Sequence, residues 1–355
     1  MNNEYHIIGL MSGTSLDGLD IVKCRFQKHK NWSYKIEKCH TITYSNYWTS
    51  KLRNLHTKSG KDIAKANIEY GALLGNITSE YIQTHNLKCD YIASHGHTIL
   101  HRPDLGYTLQ IGDGATISNI TNITTINNFR ELDLSLGGQG APLVPIGDLL
   151  LFPQYKYCLN LGGFSNISEK SKNGGIIAFD ICPVNIVLNY LSKKKGRDFD
   201  DMGNIAKSGI IRGDLLKILN DIPFYRCSPP KSLGREWVEE SIFPILKKHE
   251  SSIKDKMRTF CEHIAVQISK NLQNDLVLIT GGGAFNKYLI SRINHWSNSK
   301  IIIPNKDLVN YKESLIFALL GILRIRNENN CLSSVTGAKK DCVGGDIFTK
   351  IRHSE

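Results

Sequence analysis

The 355-residue chain contains no Cys-x-x-Cys pair or other zinc-like cysteine spacing, although it carries nine cysteines. They stand singly at 24, 39, 89, 158, 182, 227, 261, 331 and 342, and several lie inside apolar runs such as Tyr157-Cys158-Leu159. That pattern disfavours both a disulfide framework and a zinc module; reduced, buried thiols in a cytoplasmic protein fit better. No apolar run approaches the roughly 20 residues that cross a membrane. The opening Met-Asn-Asn-Glu-Tyr-His lacks a basic segment followed by an apolar one, so no signal peptide is expected. Low-complexity tracts and short-period repeats are also missing. The net charge of +11 is carried by dispersed Lys and Arg, the longest run being Lys193-Lys194-Lys195 at an expected helix end. Such charges suit the helix dipole and a solvated surface more than a nucleic-acid patch. Neither GxxxxGK[ST] nor GxGxxG occurs, which leaves P-loop and Rossmann nucleotide sites without support.

What the chain does have is two rounds of strands, glycine turns and helices. Strand-like stretches span Tyr5–Gly9, Leu19–Phe26 and Tyr34–Thr43. A helix is predicted over about Lys61–His85, where Ile63, Ala66, Tyr70, Leu73, Leu74, Ile77 and Tyr81 recur at three- and four-residue spacing. A short strand, Asp90–Ser94, ends in Ser94-His95-Gly96-His97. The second round begins near Tyr155, with strands over Tyr157–Leu161, Ile176–Phe179 and Asp275–Thr280. Helices are predicted over Asn185–Lys193, Asp214–Leu219, Ser251–Asn271, from about Asn286, and over Glu313–Arg326. The pattern is that of an α/β protein with one core per half. Gly137-Gly138-Gln139-Gly140-Ala141-Pro142 is the expected boundary region.

Glycines fall where strands end: Gly9–Gly18, Leu161–Asn166 and Thr280–Asn286. One such turn is a routine bend. Three in one chain, two of them with hydroxyls or amides (Ser12, Thr14, Ser15; Ser165, Asn166), point to backbone N–H groups that approach phosphate oxygens.

The run Gly9-Leu10-Met11-Ser12-Gly13-Thr14-Ser15-Leu16-Asp17-Gly18-Leu19-Asp20 resembles the opening signature of the anhydro-N-acetylmuramic acid kinase family. The match continues in order through Ser94-His95-Gly96, Leu109-Gln110-Ile111-Gly112-Asp113-Gly114 and Asn128-Phe129-Arg130 with Asp133. It runs on through Gly137–Pro145, Asn160-Leu161-Gly162-Gly163, Pro230–Glu236, Thr280–Ala284 and Glu313 before Phe317-Ala318. The resemblance implies an α/β, two-domain, actin/hexokinase-like (ribonuclease H-like) fold with ATP in a central cleft. It divides the chain into an N-terminal α/β domain at 1–140, with the phosphate turn and part of the sugar site, and a C-terminal α/β domain at 141–355. The second would hold the catalytic aspartate and the adenosine turn, with the last helix packing back on the first.

The implied reaction is ATP-dependent conversion of 1,6-anhydro-N-acetylmuramic acid plus water to N-acetylmuramic acid 6-phosphate, in cell-wall recycling. Gly9, Ser12, Gly13, Thr14, Ser15, Asp17, Gly18 and Asp20 would hold the β- and γ-phosphates. Gly162-Gly163 would line the phosphate side, and Gly281-Gly282-Gly283 would pack on adenosine. Asp17 and Asp20 are candidate Mg²⁺ partners, since that ion takes one or two carboxylates and keeps waters; Asp17 reads equally as a turn carboxylate. Asp180 matches the catalytic base, and as a residue type just before Pro183 it also reads as an N-cap. His95, Arg130 and Glu313 match positions near the sugar. Arg130 would pair with the lactyl carboxylate; its plainer reading is a surface ion pair with Asp133. Glu313 also reads as a first-turn helix acid. The resemblance implies small-molecule partners only, with neither nucleic acid nor membrane, and a homodimer.

Two departures stand out. Where the family has Asp-Thr-Gly-Pro-Gly-Asn, this chain has Asp180-Ile181-Cys182-Pro183-Val184-Asn185, without the glycines. Its usual His-Gly-Gln is His95-Gly96-His97 here, and with His101 this looks like a metal box, although polar cleft histidines fit better. The loop carrying Asp198, Asp200 and Asp201 is expected to be solvated. Alternatives to the leading reading are a kinase for another amino sugar and a non-catalytic nucleotide- or sugar-binding regulator.

Overall fold

The computed structural model describes residues 3–13, 16–171 and 173–350. Its strands, in chain order, are β1 (Glu4–Ser12), β2 (Gly18–Lys28), β3 (Trp32–Thr43), β4 (Tyr91–Arg102), β5 (Tyr107–Ile111) and β6 (Thr124–Asn127). They continue with β7 (Tyr157–Leu161), β8 (Phe164–Lys170), β9 (Ile176–Pro183), β10 (Leu276–Thr280), β11 (Lys300–Ile302) and β12 (Asp346–Phe348). The chain forms two compact units, one of residues 1–151 and 311–355 and the other of 152–310. This division differs from the expected 140/141 boundary. The helix Val144–Leu151 belongs to the first unit, and the chain returns to that unit at 311.

In the first unit the sheet runs β12-β6-β4-β1-β2-β3, with β5 added to β4. β1 pairs antiparallel with β2 and parallel with β4. A strand flanked on both edges and covered on both faces reads as a continuous apolar run, and Ile7, Ile8 and Leu10 of β1 are fully buried. The helix Gly60–His85 starts on Ser59, whose hydroxyl accepts the Asp62 N–H, and stops at left-handed Asn86. Its buried stripe, Ala66, Tyr70, Leu74, Thr78 and Tyr81, follows the helical period, and Ala66, Tyr70, Leu74 and Tyr81 pack into one core with Ile8, Leu10 and Ile92. The helix Lys306–Ile325 lies against β1 at Gly9, where any Cβ would run into the Ser314 carbonyl. β4 extends well past the expected end at Ser94, because β5 pairs with its second half.

The second unit holds a five-stranded sheet in the order β11-β10-β7-β8-β9. Its core joins Leu159 and Leu161 of β7 and Ile279 of β10 to Phe260 and Ile264 of the helix Ile253–Ser269. Cys182, Val184 and Cys261 are among its fully buried members. No disulfide joins any of the nine cysteines. No helix among the described residues is long and apolar enough to cross a membrane.

Candidate active site

In the first unit the candidate residues gather at the carboxyl end of β1, the middle of β4 and the start of β2. Ser12 ends β1, and Met11 pairs across the ladder with Asp20. Gly13 and Leu16 close the turn between the strands through the Leu16 N–H to the Gly13 carbonyl at 3.3 Å. Thr14 and Ser15 lie outside the described residues. Gly9 and Gly18 have packing duties: Gly9 faces the Ser314 carbonyl, and a Cβ on Gly18 would meet the Ile42 carbonyl.

Asp17 is exposed, whereas Asp20 is half-buried and receives one hydroxyl proton, from Thr41 at 2.6 Å. Burial lifts the Asp20 carboxyl above its ordinary range; Thr41 opposes this, and the Asp17 charge adds to it. A desolvated carboxylate with a second one beside it and few donors is an oxygen donor set short of positive charge. Those residues fit a hard cation such as Mg²⁺.

Register slips between β1 and β4: Leu10 faces Ser94, but Ser12 faces His97, so β4 carries an extra residue. Gly96 sits in this bulge at φ +73°, a conformation suited to glycine, with no room for a Cβ beside the Ile111 carbonyl. The bulge sends the two histidines to different partners, so they do not share a face as a metal pair would. His95 Nδ1 donates to the Gly96 carbonyl at 2.9 Å, and its Nε2 accepts from Arg130 Nε at 3.1 Å and Nη2 at 2.8 Å. Burial, with help from the Arg130 charge, holds His95 well below the usual imidazole range and hence neutral. His97 Nδ1 instead meets Ser12 Oγ at 2.9 Å.

Arg130 also donates from Nη1 to the Gly140 carbonyl at 2.8 Å. An arginine has five N–H donors. Three are engaged among the described residues, leaving one on each terminal nitrogen, the fork that matches a carboxylate. The expected Arg130–Asp133 ion pair is not formed. Asp133 is buried and accepts from Gly140 N–H at 2.7 Å, Thr336 Oγ1 at 2.7 Å and Cys331 Sγ at 3.2 Å. Glu313 is the eighth residue of the helix Lys306–Ile325, not a first-turn acid. Its side chain is solvent-accessible, yet the surrounding protein raises its carboxyl pKa by desolvation, with Arg130 opposing and Asp20 adding.

In the second unit Asp180 lies inside β9, which runs on to Pro183. It does not cap the following helix, Asn185–Lys193, whose N-cap is Val184. β8 and β9 slip register at this point: Asn166 faces Asp180 and Ser165 faces Cys182, so Ile181 is the extra residue. Asp180 N–H donates to the Lys231 carbonyl at 3.0 Å, and its Oδ2 accepts the Leu233 N–H at 2.8 Å. The half-buried carboxyl is raised by desolvation, against the lowering effect of that N–H.

The altered segment after Asp180 is built without the missing glycines. Ile181, Cys182 and Val184 are buried in the core. The Val184 and Ile186 N–H groups donate to Gly163 O at 2.8 and 3.2 Å, and Asn185 N–H donates to Gly162 O at 3.2 Å. Asn185 Nδ2 reaches Leu161 O at 3.1 Å.

A Cβ on Gly163 would meet no atom within 4 Å, and one on Gly282 only Asn185 Nδ2 at 3.8 Å. Both face open space. Gly281 and Gly283 are different: Gly281 has φ +81°, and Cβ atoms at either would press on Leu161. Beside Gly282 opens a cavity of about 330 Å³ lined by Asn185, Leu188, Phe199, Met202, Phe285 and Asn310, among others. Phe199, Met202 and Phe285 leave apolar surface uncovered, 62%, 41% and 41% exposed, as walls for a flat ring would. These walls were not legible in the sequence, where Phe199 and Met202 sit among aspartates. Nor is that loop wholly solvated: Asp200 is buried and caps Ile205 N–H at 2.8 Å and Ala206 N–H at 2.9 Å.

Comparison with known proteins agrees along the whole chain. A protein from Francisella tularensis subsp. novicida named anhydro-N-acetylmuramic acid kinase is 30% identical, covering 98% of this chain and 99% of its own. One of the same name from Bacillus cereus (strain Q1) is 31% identical, covering 96% and 98%. Solved structures give weaker likenesses. An activator of 2-hydroxyisocaproyl-CoA dehydratase from Clostridium difficile with bound ADPNP has a TM-score of 0.44 at 14% identity, covering 88% of this chain and 93% of its own. The Schistosoma mansoni hexokinase complexed with glucose has a TM-score of 0.35 at 7% identity, covering 89% and 84%. Since the family model described as anhydro-N-acetylmuramic acid kinase matches residues 5–350, this chain belongs to that family.

Proposed function

We propose that the chain is an ATP-dependent kinase that converts 1,6-anhydro-N-acetylmuramic acid plus water to N-acetylmuramic acid 6-phosphate, on an actin/hexokinase-like fold. The observation that carries the proposal is Asp180, a half-buried carboxylate at a β-bulge with one oxygen held by Leu233 N–H. Bulges of this kind re-aim side chains beside active sites. Held through Oδ2, the group has Oδ1 for a proton.

In the proposed reaction Asp180 takes a proton from water as the water oxygen bonds to the anomeric carbon. The bond from that carbon to O6 breaks, and O6 takes the γ-phosphoryl group as ADP leaves. A base with a pKa above the ordinary carboxylate range suits that task. The fork of Arg130 is assigned to the substrate carboxylate, with His95 fixing its plane and Glu313 alongside. Gly162, Gly163 and Gly282, together with the Phe199–Phe285 cavity, are assigned to the nucleotide. Asp20, with Asp17, would hold Mg²⁺, which when bound supplies charge neutralisation at the phosphates. With this reading go peptidoglycan recycling, a cytoplasmic location and a homodimer; nine cysteines without a disulfide suit a reducing compartment.

The test is ADP release with 1,6-anhydro-N-acetylmuramic acid, ATP and Mg²⁺, for wild type and Asp180→Asn. Turnover that drops by roughly 100-fold or more on substitution supports the assignment. Turnover on another amino sugar, or nucleotide binding without any turnover, would replace it.

A further inference from the structure

The hydroxyl of Ser12 does not face open space. Ser12 is 2% exposed, and Tyr44 OH donates to its Oγ at 2.7 Å. Tyr44 OH in turn meets Tyr70 OH at 2.6 Å. Tyr44, Tyr70 and His97 are all buried, and the Tyr70 and His97 rings meet edge-on at 6.3 Å. On the other side of Ser12 stands His97 Nδ1 at 2.9 Å. A serine hydroxyl has one proton and two acceptor positions.

We propose that His97 is a positioning residue for the phosphate turn: it accepts the only Ser12 hydroxyl proton at Nδ1 and so pins the end of β1 from which residues 13–20 depart. The inference rests on the kinase reading above and changes the duty of one residue within it. Ser12 acts as an anchor of the turn and has no hydroxyl proton left for a phosphate oxygen.

Three observations converge. Tyr44 already donates into Ser12, so an accepting Nδ1 completes a directed chain from tyrosine through serine to histidine. The β4 bulge at Gly96 brings His97 opposite Ser12 in register. Burial holds His97 at about 4, so the ring is neutral and one nitrogen must be an acceptor. His95 and, beyond it, Arg130 are the other titratable groups of this bulge; His95 is itself held neutral, and the Arg130 charge bears on it. Nothing nearby donates a competing proton to Nδ1 among the described residues.

The test compares wild type with His97→Leu, His97→Gln, Ser12→Ala and the His97→Leu/Ser12→Ala double variant, reading KM for ATP and kcat separately. The expected result is a rise of about tenfold in KM for ATP in His97→Leu, the scale of one buried hydrogen bond, with kcat changed little. His97→Gln, whose amide oxygen can accept the same proton, should recover most of the loss. Ser12→Ala should match His97→Leu, and the double variant should be no worse than either alone. In wild type the ¹⁵N shift of His97 Nδ1 should be that of an unprotonated ring nitrogen.

A protonated Nδ1, additive losses in the double variant, or a Ser12→Ala defect far larger than that of His97→Leu would overturn the inference. Those results would give the Ser12 proton to the nucleotide. Failure of wild type itself to turn over would count against the kinase reading instead, and the ¹⁵N measurement would still decide the Ser12–His97 contact.

Discussion

Arg130 meets His95 through two of its nitrogens, Nε at 3.1 Å and Nη2 at 2.8 Å, both on the imidazole Nε2. The guanidinium plane is therefore set by a neutral histidine on one edge and the Gly140 carbonyl on another. A protonated His95 would repel it. His95→Leu should free the guanidinium and raise KM for the sugar by about tenfold, since hydrogen bonds to charged groups contribute roughly 1.5–3 kcal/mol. KM for ATP should move little. Equal changes in both constants would mean that His95 supports the fold at large rather than Arg130.

Two glycines of similar sequence context should behave in opposite ways. A Cβ on Gly163 meets no protein atom, whereas one on Gly9 collides with the Ser314 carbonyl. Gly163→Ala should leave the unfolding free energy from urea melts within about 0.5 kcal/mol of wild type and weaken ATP binding. Gly9→Ala should cost about 1–3 kcal/mol of stability, because the helix bearing Ser314 must shift off β1. Unchanged nucleotide affinity in Gly163→Ala would remove that turn from the site.

Mg²⁺ dependence offers a separate check on the first unit. Asp20→Asn should raise the Mg²⁺ concentration for half-maximal turnover by roughly tenfold or more, and a chelator should abolish turnover in wild type. Asp17→Asn should have the smaller effect, since Asp17 is exposed while Asp20 is desolvated. Identical Mg²⁺ titrations for wild type and Asp20→Asn would exclude the assignment.

Acid should destabilise the fold through its buried histidines. His263 is fully buried, meeting Asn220 Oδ1 at 2.7 Å and Tyr225 OH at 3.0 Å, and burial pushes it down to about 3. Its unfolded imidazole binds a proton near the ordinary value of about 6.5. Below that pH the unfolded state therefore holds more protons, and stability falls as pH falls. For His263 the loss between pH 7 and 5 is on the order of 2 kcal/mol. Asp20, Asp180 and Glu313 act in the opposite sense, because their raised pKa values let the folded state take up protons first. Urea melts at pH 7 and 5 should show a smaller decline in His263→Gln than in wild type. Equal declines would mean that His263 is not held neutral.

The local pattern of the chain carried its regular elements well. The helix expected at Lys61–His85 is observed at Gly60–His85, and the strand expected at Tyr157–Leu161 is observed with those bounds. Hydrophobic period alone specifies such segments. What local pattern does not hold is pairing across distance. β4 was expected to stop at Ser94 and β9 at Phe179, yet β5 and β8 carry them on to Arg102 and Pro183. The two bulges that aim His97 and Asp180 arise from pairing across distance as well, of β4 with β1 and of β9 with β8, so they were invisible too. The family motifs named Asp180, Arg130 and His95, but not the Phe199, Met202 and Phe285 walls, which come together only when two segments over 80 residues apart fold. The missing glycines after Asp180 looked like a lesion. In the structure Ile181, Cys182 and Val184 fill core volume there, and carbonyls of Gly162 and Gly163 take the freed N–H groups.

The interrupted course of the first unit bears on how the chain is made. Residues 152–310 are a complete compact body, while the body begun by residues 1–151 needs 311–355 to finish it. On the ribosome the inserted segment is fully synthesised before the helix that covers Gly9 and Ala93 has left the exit tunnel. Vectorial synthesis ordinarily lets the amino-terminal part settle first. Here that order is reversed: the middle of the polypeptide can mature early, and the amino-terminal sheet waits, with the face of β1 at Gly9 bare, until the segment beyond residue 310 has been translated.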